Sequence, residues 1–325
     1  GSVKGVATGN LGIGKDGEPT DNFQLGMELH AKYTVFAEGA RGHLGKQVIS
    51  KFKLDAGKDP QSYGIGIKEL WEIDPARHKA GLALHSAGWP LDENTYGGSF
   101  LYHMEDNKVV VGFVVGLDYT NPWLSPFEEF QRFKTHPNIR WYFEGDEAKG
   151  IAPAKRISYG ARAIIKGGLN SLPKLTFNGG CLIGDDAGFL NFAKIKGTHT
   201  AMKSGMLCAE AVFDALKAGR SSDEVTAYTD KFEASWLHEE LHKARNFGSA
   251  MHRMGTIMGG GFNWLDQNLL GGKMPLTIHD TTPDHKCLDL ASLSFKPDYP
   301  KPDGKISFDK LSSVFISGTN HEEDQ

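Results

Sequence analysis

The stretch Leu182-Ile183-Gly184-Asp185-Asp186-Ala187-Gly188, followed after a short loop by Lys196-Gly197-Thr198, carries the reading of the fold. An apolar run ending in Gly-Asp sets a carboxylate at the C-terminal edge of a strand, which is where α/β sheets bind ligands. Such a carboxylate can accept hydrogen bonds from a polyol. The N–H groups at Gly197-Thr198 lack intrahelical acceptors and can face an anion or a carbonyl-rich ring. A turn with two capping aspartates would use the same residues. The helix that begins there is expected over about Gly197 to Leu216, with Gly219 as its stop.

Upstream, Met27 to Phe36 is strand-like and runs into Ala37-Glu38-Gly39-Ala40-Arg41-Gly42. A glycine-flanked turn after a buried strand lets backbone approach a ligand; a plain tight strand-to-helix turn has the same composition. Candidate strands follow at Tyr63–Ile67, Lys68–Ile73, Gly81–Ala87, Ser99–Met104 and Lys108–Leu117, with Glu105-Asp106-Asn107 as a hairpin turn. Ser125-Pro126 opens a helix, with Phe127, Phe130 and Phe133 on its packing face and Pro137 at its end. Residues 155–165 read as another strand. A second helix is expected over about Ser222 to Ala244, because Asp223-Glu224 and Lys243-Arg245 suit its dipole. Residues 247–275 are rich in Met, Phe, Trp and Leu and broken by glycines. From Pro275 the chain reads as an irregular connector.

A chain of 325 residues accommodates two domains at roughly 150 each. With 39% apolar and 23% charged residues it can bury a sizeable core. A net charge of −4 argues against non-specific nucleic-acid binding, so no nucleic-acid partner is expected. No apolar run reaches the ~20 residues of a spanning helix. Cys181, Cys208 and Cys287 are far apart and odd in number, which fits neither a disulfide framework nor a CxxC metal site. His238-Glu239-Glu240-Leu241-His242 holds two histidines at i, i+4 but lacks the HExxH order, so it reads as helix-surface chemistry. Gly1-Ser2 reads as a cloning scar and the polar tail ends in loop chemistry; the expectation is an excised piece of a longer protein.

The Gly-Asp strand and helix, with Glu38-Gly39-Ala40-Arg41 upstream, resemble the second and third flavin motifs of the glutathione-reductase-type FAD superfamily. More narrowly, the chain is similar to the electron transfer flavoprotein–ubiquinone oxidoreductase family. The segments that carry this are Glu28 to Lys32, Phe36 to Gly39, Tyr63 to Trp71, Gly88 to Leu91, Thr95 to His103, Gly112 to Tyr119, Lys194 to Gly205, Tyr299 to Gly304 and Ser317 to His321. They cover nearly the whole chain.

The resemblance implies an α/β (mixed α+β) fold: a partial FAD-binding domain of glutathione-reductase/aromatic-hydroxylase type with an inserted, antiparallel-rich quinone-binding sheet. It divides the chain into residues 1–50, part of the FAD-binding domain; 51–165, the ubiquinone-binding sheet; 166–246, the return to the FAD-binding domain; 247–275, a membrane-associated segment; and 276–325, a connector towards a missing iron–sulfur module. The implied activity passes electrons from reduced electron transfer flavoprotein, through FAD and a [4Fe-4S] cluster, to ubiquinone. The implied location is monotopic, on a bacterial or mitochondrial inner membrane, facing cytoplasm or matrix. The family's GxGxxG loop and cluster cysteines are not found here. This implies a central fragment that does not ligate the cluster and is inactive alone.

Carried onto these positions, Gly97 and Gly98 resemble ubiquinone contacts, since glycine lets a backbone group reach a quinone oxygen. Tyr96, Phe100 and Tyr102 could wall that site or simply pack a strand. Glu38, Gly39 and Arg41 fall in the flavin-side turn, Gly184 and Asp185 at the ribityl chain, and Gly197 and Thr198 near the ring or ribityl. Asn191 is placed at the ring edge or serves as a turn residue. Rival readings are a flavin monooxygenase or geranylgeranyl-reductase-like enzyme, and a non-catalytic quinone- and membrane-binding scaffold.

Overall fold

A computed structural model of the chain describes residues 1–319; Asn320 and His321, quoted above, lie outside the described residues. The first half of the architecture is a small three-stranded sheet. Strand Thr34–Phe36 runs parallel to Gly180–Leu182, and Thr176–Phe177 pairs antiparallel on the other side of the latter. Parallel strands need a long crossover; here it is the whole stretch from residue 37 to 179. The helix Thr198–Lys217 buries Thr200, Ser204, Leu207, Cys208, Ala211 and Ala215 along one side, a spacing of one helical face. That face packs into a core with Phe36, Leu182, Tyr228, Phe232 and Leu237.

Inside the crossover stands an antiparallel sheet of five strands in the order Lys155–Ile165, Tyr63–Glu72, Lys108–Gly116, Gly97–His103, Ala83–Ala87. The strand Gly97–His103 alternates strictly between buried and half-buried residues, so one face meets the core and the other is open. Asp106 and Asn107 both adopt positive φ in the turn that joins it to Lys108–Gly116, as a tight hairpin requires. On the core face, helix Pro126–Lys134 packs Phe127, Phe130 and Phe133. Ser125 caps it, with Oγ accepting from the Glu128 N–H at 3.4 Å.

That interface holds a buried ionic cluster. Lys134 Nζ lies 2.7 Å from Glu69 Oε2, and Arg156 Nη1 lies 3.2 Å from Glu69 Oε1. Trp71 Nε1 also donates to Glu69, at 2.9 Å. Arg156 reaches on to Ser313 Oγ at 2.8 Å and lies 3.6 Å from the Phe308 ring centre, so the cluster clasps the C-terminal segment with its helix Lys310–Ile316. Burial pulls the Lys134 ammonium down to about 8, against the pull of Glu69.

Three expectations are corrected. The strand-like run Met27–Phe36 divides into Glu28–His30, which pairs with Gly5–Ala7, and Thr34–Phe36, because its two ends serve different sheets. Tyr63–Ile67 and Lys68–Ile73 are one strand, Tyr63–Glu72. The helix expected from Ser222 is broken into Ala227–Glu233 and Trp236–Lys243 by an extended Ser235. Its supposed N-terminal acids are used elsewhere: Asp223 accepts from Tyr33 and Arg220, and Glu224 from Thr176 and Lys174. Phe247–Trp264 consists of two helical arms meeting at a non-helical Gly255.

Replacing Lys134 with Met leaves Glu69 buried with Arg156 as its remaining ionic partner. It should lower unfolding free energy by about 3 kcal/mol, read from urea denaturation; a loss below about 1 kcal/mol would show that the cluster is dispensable.

Candidate functional site

The parallel pair sets two strand-to-helix turns side by side, with the Ile183 N–H donating to the Phe36 carbonyl at 3.0 Å. In the first turn, Glu38 Oε2 accepts from the Gly45 N–H at 2.7 Å, in the opening turn of helix His43–Phe52. Gly39 and Arg41 both have positive φ, and the Arg41 guanidinium lies 5.0 Å over the Tyr63 ring. The second turn presses Asp186 against the first: a Cβ on Gly45 would stand 2.2 Å from Asp186 Oδ1. Burial, with Glu38 adding to it, raises the Asp186 carboxyl to about 6, and its Oδ2 has no hydrogen-bond partner. The Gly-Asp motif points to Asp185, and nothing in it marks Asp186. The glycines at 42 and 45, which make room for it, were the available signal.

Asp185 points the other way. A Cβ on Gly197 would lie 3.4 Å from Asp185 Oδ1, and that oxygen is buried without a partner. Burial raises its carboxyl too. The helix Thr198–Lys217 starts beside it with no side-chain cap. Gly184 has φ 57° and donates its N–H to Ser204 Oγ at 2.9 Å, a backbone shape that suits glycine. Asp185, Gly184, Gly197 and Thr198 are thus drawn together. An unpaired buried carboxylate oxygen next to uncapped N–H groups fits the hydroxyl-rich ribityl portion of a flavin.

Asn191 sits 2% exposed. Its Oδ1 accepts from the Lys194 N–H at 3.1 Å, and its Nδ2 donates to Glu240 Oε1 at 2.8 Å, so the turn reading describes it. Glu240, which the sequence did not flag, also takes His199 Nε2 at 2.7 Å and Lys194 Nζ at 2.8 Å. Burial opposes its ionisation, but these bonds outweigh burial and hold the carboxyl down at about 2. It pins the loop that precedes the Thr198 helix.

Two clefts flank this region. One, of about 520 Å³, is lined by Arg41, Gly42, Lys46, Lys53, Lys58 and Asp186 among others. The other, of about 460 Å³, lies on the open face of the five-stranded sheet. Gly97, Gly98, Phe100, Tyr102 and Val114 line one side, and Phe192, Ile195 and Lys196 the other. The Tyr96 ring packs on Phe192 at 5.0 Å; burial, with Asp118 adding to it, pushes its hydroxyl up to about 12. The two glycines also have packing reasons: a Cβ on Gly97 would fall 2.5 Å from the Val114 carbonyl, and one on Gly98 2.4 Å from that of Ser86. Among the described residues no helix is long and apolar enough to cross a membrane, and no group of three or more His, Cys, Asp or Glu could hold a metal. Ile257, Met258, Trp264 and Leu269 are each at least 60% exposed.

Residues 63–164 match the family model described as ETF-QO, ubiquinone-binding. Over its full length the chain is 61% identical to an electron transfer flavoprotein-ubiquinone oxidoreductase of Pseudomonas aeruginosa, covering 58% of that protein. It is 53% identical to the mitochondrial protein of that name from Rattus norvegicus, covering 53% of it. Over its whole length the chain is therefore similar to proteins of the electron transfer flavoprotein–ubiquinone oxidoreductase family. It spans a little over half the length of these relatives. A solved geranylgeranyl bacteriochlorophyll reductase-like protein from Thermoplasma acidophilum shares the fold, with TM-score 0.51 at 14% identity over 80% of this chain and 59% of that one. The ubiquinone-binding match begins at the first residue of strand Tyr63–Glu72 and ends within strand Lys155–Ile165. It therefore coincides with the five-stranded sheet.

A carboxyl raised to about 6 when folded, against about 4 when unfolded, stabilises the fold in acid and loses that contribution as pH rises through 6. Asp186→Asn should therefore stabilise the ligand-free protein by about 2 kcal/mol near pH 8 and by almost nothing near pH 4. Melting curves at both pH values check this; equal effects at both would contradict it.

Proposed function

We propose that this chain carries the ubiquinone site and one side of the FAD site of an electron transfer flavoprotein–ubiquinone oxidoreductase. The observation that carries the reading is the shared wall between the two regions. Phe192, Ile195 and Lys196 close the cleft over Gly97 and Gly98, and that same loop leads directly into Gly197, Thr198 and the unpaired oxygen of Asp185. In this reading Glu38, Gly39 and Arg41 flank the flavin from the first turn. Gly184 and Asp185 hold the ribityl chain, and Gly197 and Thr198 offer N–H groups. Asn191 is left out of the set because its amide is bonded within the chain at both ends. Bound FAD supplies the electron carrier between a reduced donor and the quinone. The chain's own residues orient the isoprenoid quinone on an apolar floor and exclude water from it.

The donor in this reading is reduced electron transfer flavoprotein, and a [4Fe-4S] cluster is ligated outside these 325 residues. Residues 51–165 form the quinone domain, 1–50 and 166–246 the flavin domain, and 276–325 a connector. The exposed Ile257, Met258, Trp264 and Leu269 support attachment to one leaflet of a membrane through about 247–275, from which a hydrophobic quinone would reach the cleft.

Two measurements test these assignments in the holoenzyme. Asp185→Ala should weaken FAD retention about tenfold, followed as flavin absorbance remaining after dialysis; retention equal to wild type would remove Asp185 from the site. Ile257→Glu with Met258→Glu should strip the protein from liposomes in flotation, and undiminished flotation would refute the leaflet contact.

A further inference from the structure

The open face of the sheet brings two titratable side chains together inside the cleft. His85 lies on the edge strand Ala83–Ala87 and Tyr102 on its neighbour Gly97–His103, and both line the cleft that holds Gly97 and Gly98. The Tyr102 hydroxyl and His85 Nε2 are 3.0 Å apart. Strand alternation puts Gly98, Phe100 and Tyr102 on one face, and Phe100 stacks on Tyr102 with ring centres 5.0 Å apart. Phe100 can lie flat because Gly112 is beneath it; a Cβ there would stand 2.2 Å from the ring. The hydroxyl is thereby held at the end of an aromatic floor, while His85 is exposed to solvent.

The remaining polar groups of the cleft are differently occupied. Ser86 and Ser99 bond to each other at 2.6 Å, and Lys196 Nζ lies 3.4 Å from the Ile195 carbonyl. Tyr96 and Lys196 are the other titratable groups lining it. Burial pushes the Tyr96 hydroxyl up to about 12, and burial also raises that of Tyr102. Tyr102 differs from Tyr96 in having a base within hydrogen-bond reach and a route through it to water.

We propose that Tyr102 and His85 form a proton-delivering dyad for the quinone bound in this cleft, an inference that rests on the ubiquinone reading above. Reducing a quinone to a quinol adds two electrons and two protons. The electrons come from the reduced flavin of that reading. As one quinone oxygen becomes basic, the Tyr102 O–H bond breaks and its proton goes to that oxygen. A protonated His85 returns a proton to the Tyr102 oxygen and is reprotonated from water. The second proton, on the far oxygen, comes from water. A hydrogen-bonded donor at the reacting atom with its own supply is what general acid catalysis requires.

The test compares two electron acceptors in the holoenzyme: a short-chain ubiquinone analogue, which takes up protons, and ferricenium, which takes one electron and none. Tyr102→Phe keeps the stacked ring and removes the hydroxyl; His85→Gln keeps a hydrogen-bonding side chain and removes titration. With either variant, kcat for the quinone should fall about 100-fold, while ferricenium reduction stays at the wild-type rate. The Kd for the analogue, from equilibrium dialysis, should stay within about threefold. Unchanged quinone turnover would overturn the dyad, and so would equal losses with both acceptors or a loss confined to Kd. A wild-type holoenzyme that neither binds nor reduces the analogue would instead overturn the ubiquinone reading beneath it.

Discussion

Three residues of parallel pairing hold the two halves of this molecule in place. Thr34–Phe36 lies against Gly180–Leu182, with the Thr34 N–H on the Gly179 carbonyl at 2.9 Å and the Ile183 N–H on that of Phe36 at 3.0 Å. Everything between them in sequence leaves the small sheet and returns to it. Because parallel strands put their C-terminal ends on one side, the pairing sets both turns and both following helices at a common edge. Asp186 meets Gly45 there, and Asp185 faces Gly197.

The inserted sheet solves a different problem. Its core face is closed by an aromatic helix and by a cluster in which Lys134 and Glu69 are almost wholly removed from water. Such a cluster contributes little net energy in itself but penalises every arrangement that leaves one charge alone. It also ties the segment around Phe308 and Ser313 back onto the sheet. With one face so committed, the opposite face is free to be a binding surface. Its low relief comes from Gly98 and Gly112, and its aromatic floor from Phe100 and Tyr102.

Much of this was readable in the linear chain where local physics decides. The hairpin at Asp106-Asn107, the Ser125 cap and the helix from Thr198 all follow from short-range rules of φ, capping and periodicity. Errors fell where one run of sequence answers to two partners. Met27–Phe36 is continuous in β character, yet its ends pair with strands of separate sheets. Asp223 and Glu224 resemble the acids of a helix start, yet they bond Tyr33, Arg220, Thr176 and Lys174. Glu240 sits in an ordinary charged helix sequence, and nothing local announces that three side chains from residues 191–199 converge on it.

By itself the sequence determined the fold class, the Gly-Asp turn and the family resemblance. Each of these depends on residues close in the chain or on motifs long enough to be specific. Only the tertiary structure decided which aspartate faces which turn, that Asn191 is bonded within the chain, and that His85 and Tyr102 meet across two strands above one cleft. The physical reason is that burial and hydrogen bonding act through space. A carboxylate, an amide or a phenol takes its character from the groups that surround it, and those groups are brought there by strand pairing between distant parts of the chain.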